Sequence, residues 1–461
     1  MEDFFDKLHE ECGVFGIYNV NNASELTYYG LHALQHRGQE GTGIVSYDGE
    51  FNKLKGPGLV TEVFNESNLK TLTGNIAIGH VRYSNNNSKG MENIQPLYFK
   101  HHTGDFAICH NGNIVNSSQL RMYLEKKGSI FQSSSDSEIL AHLIKKNVNT
   151  ESRIPAIVDA LNMLEGAFAF LIMTKDRIYA CRDKYGFHPL SLASYGDGFV
   201  VASETCAFDV IGAKFIRDVE PGEILIIEGN SYHSVLYSQF KKHKMCAMEY
   251  IYFARPDSDI DGRNVHAFRK ESGRLLYREH PIKGDIVVGV PDSSLSAAIG
   301  YAEESGISYE MGLIKNKYIG RTFIAPSQEL RDKGVRMKLS AVSSIVKDKV
   351  VILIDDSIVR GTTSKRIITM LKEAGAKEVH LCIAAPELKH PCFYGVDISS
   401  YDELISANHS VEEIRDIIGA DSLHFLSEKS LLEASKRTDM CLSCFCGKYV
   451  TSLYGEKIKE N

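Results

Sequence analysis

The chain has 461 residues, 43% apolar and 24% charged, which suits two or three globular cores. A net charge of -7 supplies no basic field for nucleic acid, and no run of about 18 apolar residues exists to cross a membrane. The leader MEDFFDKLHEE lacks the cationic and apolar regions of a secretory signal, so the ten cysteines are expected in a reducing cytosol, serving metal or catalysis rather than disulfides.

After the leader come Cys12 and a strand-like run, GVFGIYNV; a lone cysteine in such a place is by itself a small buried hydrophobe. A helical pattern then ends in LQHRGQEGTGIVSYD (Leu34 to Asp48). NIAIGHVRYSNNN reads as a strand ending in Arg82, Tyr83 and Ser84, and FAICHNGNIVN as a strand running into His110, Asn111 and Gly112. SSSDSEILAHLIKK places Asp136 near the start of an amphipathic helix. AFAFLIMT, RIYACRD, FVVASE and GEILIIEG are further strands without βαβ alternation, which predicts mostly antiparallel sheet with helices outside. Composition shifts at Tyr232 to Met245, a domain boundary.

Beyond it, GDIVVGVPDSSLSAAIGYAEESG reads as strand, polar loop and helix, the first unit of a doubly wound sheet, with Ser293 on its own terms a helix cap. The stretch 314–342 is basic, carrying Arg321, Arg331, Lys333, Arg336 and Lys338; a charge run of this kind is ordinarily a solvated face. Val350 to Ile354 is a buried parallel strand with Asp355 and Asp356 at its carboxyl end. Ser357, Arg360, Gly361, Thr362 and Thr363 then lead into a helix, offering N–H groups and a positive dipole end to a phosphate. The acidic pair suits ribose hydroxyls, directly or through Mg²⁺. Cys441 and Cys444 have the spacing of a metal pair, and Cys246 and Cys392 could complete four thiolates around zinc or an iron–sulfur cluster; spacing does not choose between those metals. Cys446 leaves the ligand set open, while Cys109, Cys181, Cys206 and Cys382 lie in apolar strands and read as core.

CGVFGI, HRGQE, GHVRYS, HNGN and SDSEIL, in that order, resemble the glutamine amidotransferases of the N-terminal-nucleophile class, and VILIDDSIVRGTT resembles the phosphoribosyl pyrophosphate (PRPP) loop of phosphoribosyltransferases. Together they resemble the family of glutamine-dependent PRPP amidotransferases. The resemblance implies an αββα sandwich of α+β class followed by a doubly wound α/β domain: residues 1–11 a propeptide, 12–240 the amidotransferase and 241–461 the phosphoribosyltransferase. It implies Cys12 as nucleophile, Asn111 and the Gly112 N–H as oxyanion hole, Arg82 and Asp136 gripping the glutamine zwitterion, and Arg37 and Gly38 shaping the same pocket. A free α-amine on Cys12, with a pKa of about 8, would serve as its general base.

For the second site the resemblance implies PRPP held by residues 355–357 and 360–363, Mg²⁺ by Ser293, Asp355 and Asp356, and a closing loop at 314–342 whose Lys338 neutralises departing pyrophosphate. It further implies a 4Fe-4S cluster on Cys246, Cys392, Cys441 and Cys444, a cytoplasmic homotetramer, and inhibition by purine nucleotides. The expected reaction converts glutamine, PRPP and water to 5-phosphoribosylamine, glutamate and pyrophosphate, the committed step of purine synthesis. Two other readings compete: an amidotransferase serving a different acceptor, opposed by the PRPP loop, and a non-enzymatic PRPP-binding regulator, opposed by Cys12, Asn111 and Asp136. One departure stands in RDKYGFHPLSL, where the family usually shows arginine in place of His188 and a contact there would be weaker or pH-dependent.

Overall fold

A computed structural model describes residues 12–83, 90–146, 153–239, 243–316, 339–398 and 400–452. In the first half, β-branched and aromatic runs form two antiparallel sheets. One has seven strands in the order Lys214–Asp218, Ser191–Tyr195, Gly198–Ala202, Gly13–Tyr18, Ile76–Arg82, Gly41–Tyr47 and Phe51–Pro57. The other has six, ordered Ser231–Leu236, Glu223–Glu228, Arg177–Arg182, Gly166–Met173, Phe106–Ile114 and Leu97–Phe99.

Side chains along a strand alternate between faces, and here each face has its own cover. Phe15 and Ile17 pack with the helices Ala23–Ala33 and Cys206–Ile211. Val14 and Tyr18 point the other way, joining Ala107, Leu171 and Ile178 between the sheets. Phe106, Ile108 and Phe170 cover the outer face of the second sheet beneath the helices Ser117–Lys126, Ser137–Lys146 and Ile154–Met163. The result is the expected αββα sandwich. The strand from Phe106 runs through His110, Asn111 and Gly112 to Ile114, pairing Asn111 with Ala169 and Gly112 with Phe168. Gly112 tolerates this at φ 137°, a conformation closed to side-chain-bearing residues in a ladder.

The second half carries an all-parallel sheet of Ile286–Gly289, Val350–Asp355, Glu378–Ile383 and Ser422–Phe425, in that order. A parallel bridge from Val287 to Tyr309 extends it on the far side. Chain order across the sheet is therefore second, first, third, fourth, fifth. It reverses between Ile286–Gly289 and Val350–Asp355, where ligands of open α/β sheets bind. The hairpin of Leu313–Lys315 with Leu339–Ala341 brackets residues 317–338, which lie outside the described residues together with Arg321, Arg331, Lys333, Arg336 and Lys338.

Each half has its own core, the second running from Met245 to Phe445. A small cluster of Ala167, Tyr185 and Phe187 with Tyr394 and Cys441 joins them, the Phe187 ring stacked on Tyr394 at 4.3 Å. Among the described residues no helix is long and apolar enough to cross a membrane.

Candidate active sites

Cys12 directly precedes the strand Gly13–Tyr18, whose Gly13 pairs with Val81, so the thiol stands at the end of the strand that finishes in Arg82. Its Sγ lies 3.6 Å from the Tyr83 carbonyl oxygen. Arg82 is buried; desolvation lowers its pKa, offset in part by the neighbouring Cys12, Glu40 and Glu92. Gly38 packs against the backbone of Arg82 so closely that a Cβ would stand 2.5 Å from its carbonyl carbon, so only glycine fits between the HRG turn and the strand end.

Across the gap between the sheets, the His110 carbonyl accepts from His80 Nε2 at 3.0 Å, bringing the strand Phe106–Ile114 to the same end. Asn111 follows, 1% exposed, and among the described residues neither its side-chain nitrogen nor its oxygen has a hydrogen-bond partner. An unpaired buried amide costs about 1–3 kcal/mol. Asp136, just before the helix Ser137–Lys146, accepts from the Ile114 N–H at 3.0 Å and faces His110 Nδ1 at 3.6 Å. Burial works to raise its pKa, but His110 and the N–H donors outweigh it and hold the carboxyl below its usual range.

Arg37 is placed differently from the other site residues. It is buried, with Nη1 donating to Glu204 at 2.7 Å and both Nη atoms donating to Glu249 at 2.9 and 2.7 Å. Its Nε donates to the carbonyl oxygen of Cys12 at 3.1 Å. The guanidinium thus ties the Cys12 backbone to the two buried glutamates. Sequence reasoning missed Glu204 and Glu249, because nothing local in VVASETC or CAMEYI signals a partner some 170 or 210 residues away.

In the second half, Asp355 ends its strand and Asp356 follows, 2% and 3% exposed. Ser294 Oγ donates to Asp355 at 2.9 Å, as does the Asp356 N–H; Ser357 Oγ donates to Asp356 at 2.8 Å, and Ser293 Oγ hydrogen-bonds its other carboxylate oxygen. Ser293 therefore touches the acid pair, and Ser294, not Ser293, is the residue capping the helix Leu295–Ser305. Gly361, at φ 80°, makes the turn into the helix Thr362–Glu373 with Thr363 buried at its first turn. Arg360 is half exposed and paired with Glu403 at 2.7 Å. Arg269, also unforeseen, is buried and donates to the Tyr250 and Ala254 carbonyls; burial brings its pKa down to about 10 against the opposing charge of Asp356.

The four expected cluster cysteines are gathered from three segments. Cys246 and Cys441 are joined by a parallel bridge, the Cys441 N–H donating to Met245 and the Ala247 N–H to Cys441. The Lys389 and His390 N–H groups both donate to the Cys444 carbonyl at 3.0 Å, and the Tyr394 N–H donates to Cys392 Sγ at 3.3 Å. Among the described residues no three side chains stand in an arrangement that would hold a metal ion. Burial, then the nearby Cys392 and Cys441, push the Cys444 thiol well up, and Cys446 adds to the same field. None of the ten cysteines is disulfide-bonded; Cys109, Cys181, Cys206 and Cys382 are buried in the cores as expected.

A glutamine amidotransferase domain model matches residues 80–210, and a phosphoribosyl transferase domain model matches residues 264–414. An amidophosphoribosyltransferase of Bacillus subtilis is 56% identical over 98% of this chain and 96% of its own length. One from Staphylococcus aureus is 51% identical over 98% and 93%. A solved structure of glutamine PRPP amidotransferase from B. subtilis, complexed with ADP and GMP, superposes with a TM-score of 0.92 at 56% identity, covering 97% of this chain and 99% of that one.

Proposed function

The chain belongs to the amidophosphoribosyltransferase family, and from that premise we propose how its residues divide the work. The family reaction moves the amide nitrogen of glutamine to PRPP in purine biosynthesis, a glutaminase step and a pentosyl transfer in one chain. The observation that carries the residue assignment is the convergence of Cys12, Arg82, Asn111 and Asp136 at one end of the sandwich, with the Asn111 amide unpartnered.

In this reading residues 1–11 are removed, and the α-amine of Cys12 takes the thiol proton as sulfur attacks the glutamine amide. The oxyanion is received by the Asn111 side chain and the Gly112 N–H, while Arg82 and Asp136 hold the carboxylate and ammonium of the substrate. Ammonia leaves, and water releases glutamate from Cys12. Arg37 and Gly38 act by fixing the backbone around the thiol.

The acid pair at the sheet's reversal point serves the acceptor. Asp355, Asp356 and Ser293 present hard oxygen donors that fit Mg²⁺, which would neutralise pyrophosphate as it departs. The turn 357–363 offers its N–H groups and hydroxyls to the 5-phosphate. Lys338 is assigned to pyrophosphate by its place in the family loop. The domains are divided at 240/241, supported by separate cores on either side.

Cys246, Cys392, Cys441 and Cys444 would hold a 4Fe-4S cluster. Four soft thiol donors drawn from three segments, with Cys246 bridged to Cys441, are the donor chemistry such a cluster takes. Such a group would tie three distant segments and add folding stability. ADP and GMP, bound by the B. subtilis relative, point to purine nucleotides as inhibitors here. A cytoplasmic homotetramer completes the proposal, with sedimentation velocity as its check.

Glutamine-dependent pyrophosphate release from PRPP and Mg²⁺, followed with intact-mass measurement, tests the whole. Active chain should begin at Cys12 and yield glutamate and pyrophosphate one to one. Full activity in chain that keeps Met1 to Glu11 would remove the amine-base mechanism.

A further inference from the structure

A nucleophile that is the first residue of its chain has no preceding peptide to hold it. One covalent tether remains, the bond to Gly13, and the thiol and amine swing together about the Cys12 backbone. The peptide plane from which they swing is held by the Arg37 Nε–H, which donates to the Cys12 carbonyl at 3.1 Å. Arg37 is fixed in turn by a two-pronged bond to Glu249 and a third bond to Glu204.

Glu249 does not come from the sandwich. It opens a single π-helical turn, Glu249–Phe253, in the segment that begins the second core. This carboxylate is fully buried. Besides Arg37 it faces His188 Nδ1 at 3.1 Å, and the other ring nitrogen of His188 lies 3.0 Å from the Tyr394 carbonyl. With acceptors on both sides, His188 satisfies both only as the doubly protonated imidazolium. It therefore stands as a cation beside the Glu249 carboxylate. Glu204, from the sandwich, reaches the same segment, accepting from the Arg255 N–H at 2.9 Å and Ser258 Oγ at 2.7 Å.

We infer that Glu249 is a positioning residue for the glutaminase reaction, acting through Arg37 on the backbone of Cys12 and itself held by His188. The glutaminase is on this view incomplete without residues beyond position 240. The inference rests on the proposed role of Cys12 and adds to it a residue of the other half.

The test compares Glu249→Gln with the parent in full-length, processed enzyme. Glutamine is nearly isosteric but cannot pair both Arg37 nitrogens as a charged acceptor. A small misplacement of a reacting group costs on the order of 10²-fold. The expected result is a fall in kcat for glutamine hydrolysis of roughly 10- to 100-fold, with KM for glutamine nearly unchanged and slower alkylation of Cys12 by iodoacetamide. Ammonia-dependent phosphoribosylamine formation should hold, because Glu249 does not touch the acid pair. Equal kcat and alkylation rates in variant and parent would overturn the inference, as would loss of both activities in parallel. Should Glu249→Gln not fold, Glu249→Asp gives the same reading: its shorter arm cannot span Arg37 and His188 together, and parental kcat in it would refute the positioning role. A parent without glutamine-dependent pyrophosphate release would instead refute the proposed function itself.

Discussion

Glu204 and Glu249 in the first site, and Asp355 and Asp356 in the second, are both buried carboxylate pairs, and they are held in opposite ways. The glutamates are enclosed by Arg37, His36 and His188, a closed ionic network that fixes the nucleophile's backbone. The aspartates stand side by side at a strand end, and the partners seen on them are the hydroxyls of Ser293, Ser294 and Ser357 and a backbone N–H. Hydroxyls can turn to suit a ligand, whereas a two-pronged arginine cannot. The first pair is held in one shape, whereas the second is the one to which the proposed function gives a cation and a sugar.

The largest effect expected from breaking this contrast is at the second pair. Asp355→Ala or Asp356→Ala should lower both glutamine- and ammonia-dependent product formation by about 10³-fold or more, since each needs bound PRPP, an effect on the scale seen when catalytic units are dismantled. Parallel assays with the two nitrogen sources check this. Next comes Asn111→Ala, which should cost on the order of 10²–10³ in glutamine-dependent kcat and leave the ammonia reaction alone. Steady-state kinetics with each nitrogen source would show it.

If the proposed cluster is bound, anaerobically purified protein should be brown, serine at Cys246, Cys392, Cys441 or Cys444 should abolish the colour and lower the melting temperature, and Cys446→Ser should retain both; absorbance and iron content decide. Colourless, fully active protein with one zinc per chain would exclude the cluster.

Acid titration sharpens the first pair. Burial alone would raise the Glu249 carboxyl, but Arg37 and His188 outweigh it and hold it down to about 2. A depressed pKa means stability that is fully present above the ordinary glutamate value of about 4.3 and lost as pH falls toward the folded value. The melting-temperature gap between parent and Glu249→Gln should therefore be constant above pH 5 and shrink below it. A smaller effect is expected at Tyr83→Phe, which deletes a 2.8 Å bond to Asp397 in the other half and should cost about 1 kcal/mol in denaturant unfolding.

What could be read from the chain alone follows from how local each feature is. The PRPP loop is one contiguous strand, turn and helix, so Val350 to Thr363 carried its own geometry. Antiparallel sheet with helices outside was legible from the strand runs, while the αββα arrangement and the expected roles of Cys12, Arg82, Asn111 and Asp136 came from the resemblance carried by motif order. Glu204, Glu249 and Arg269 were not, because each is ordinary in its local sequence and gains meaning only from partners brought by folding.

The division of labour between the two halves is tested most directly by Cys12→Ala, assayed for pyrophosphate release from PRPP with glutamine and then with ammonium. Glutamine should support no turnover, and ammonium should support phosphoribosylamine formation at the parental rate. Loss of the ammonium reaction, or glutamine turnover that survives without the thiol, would contradict it.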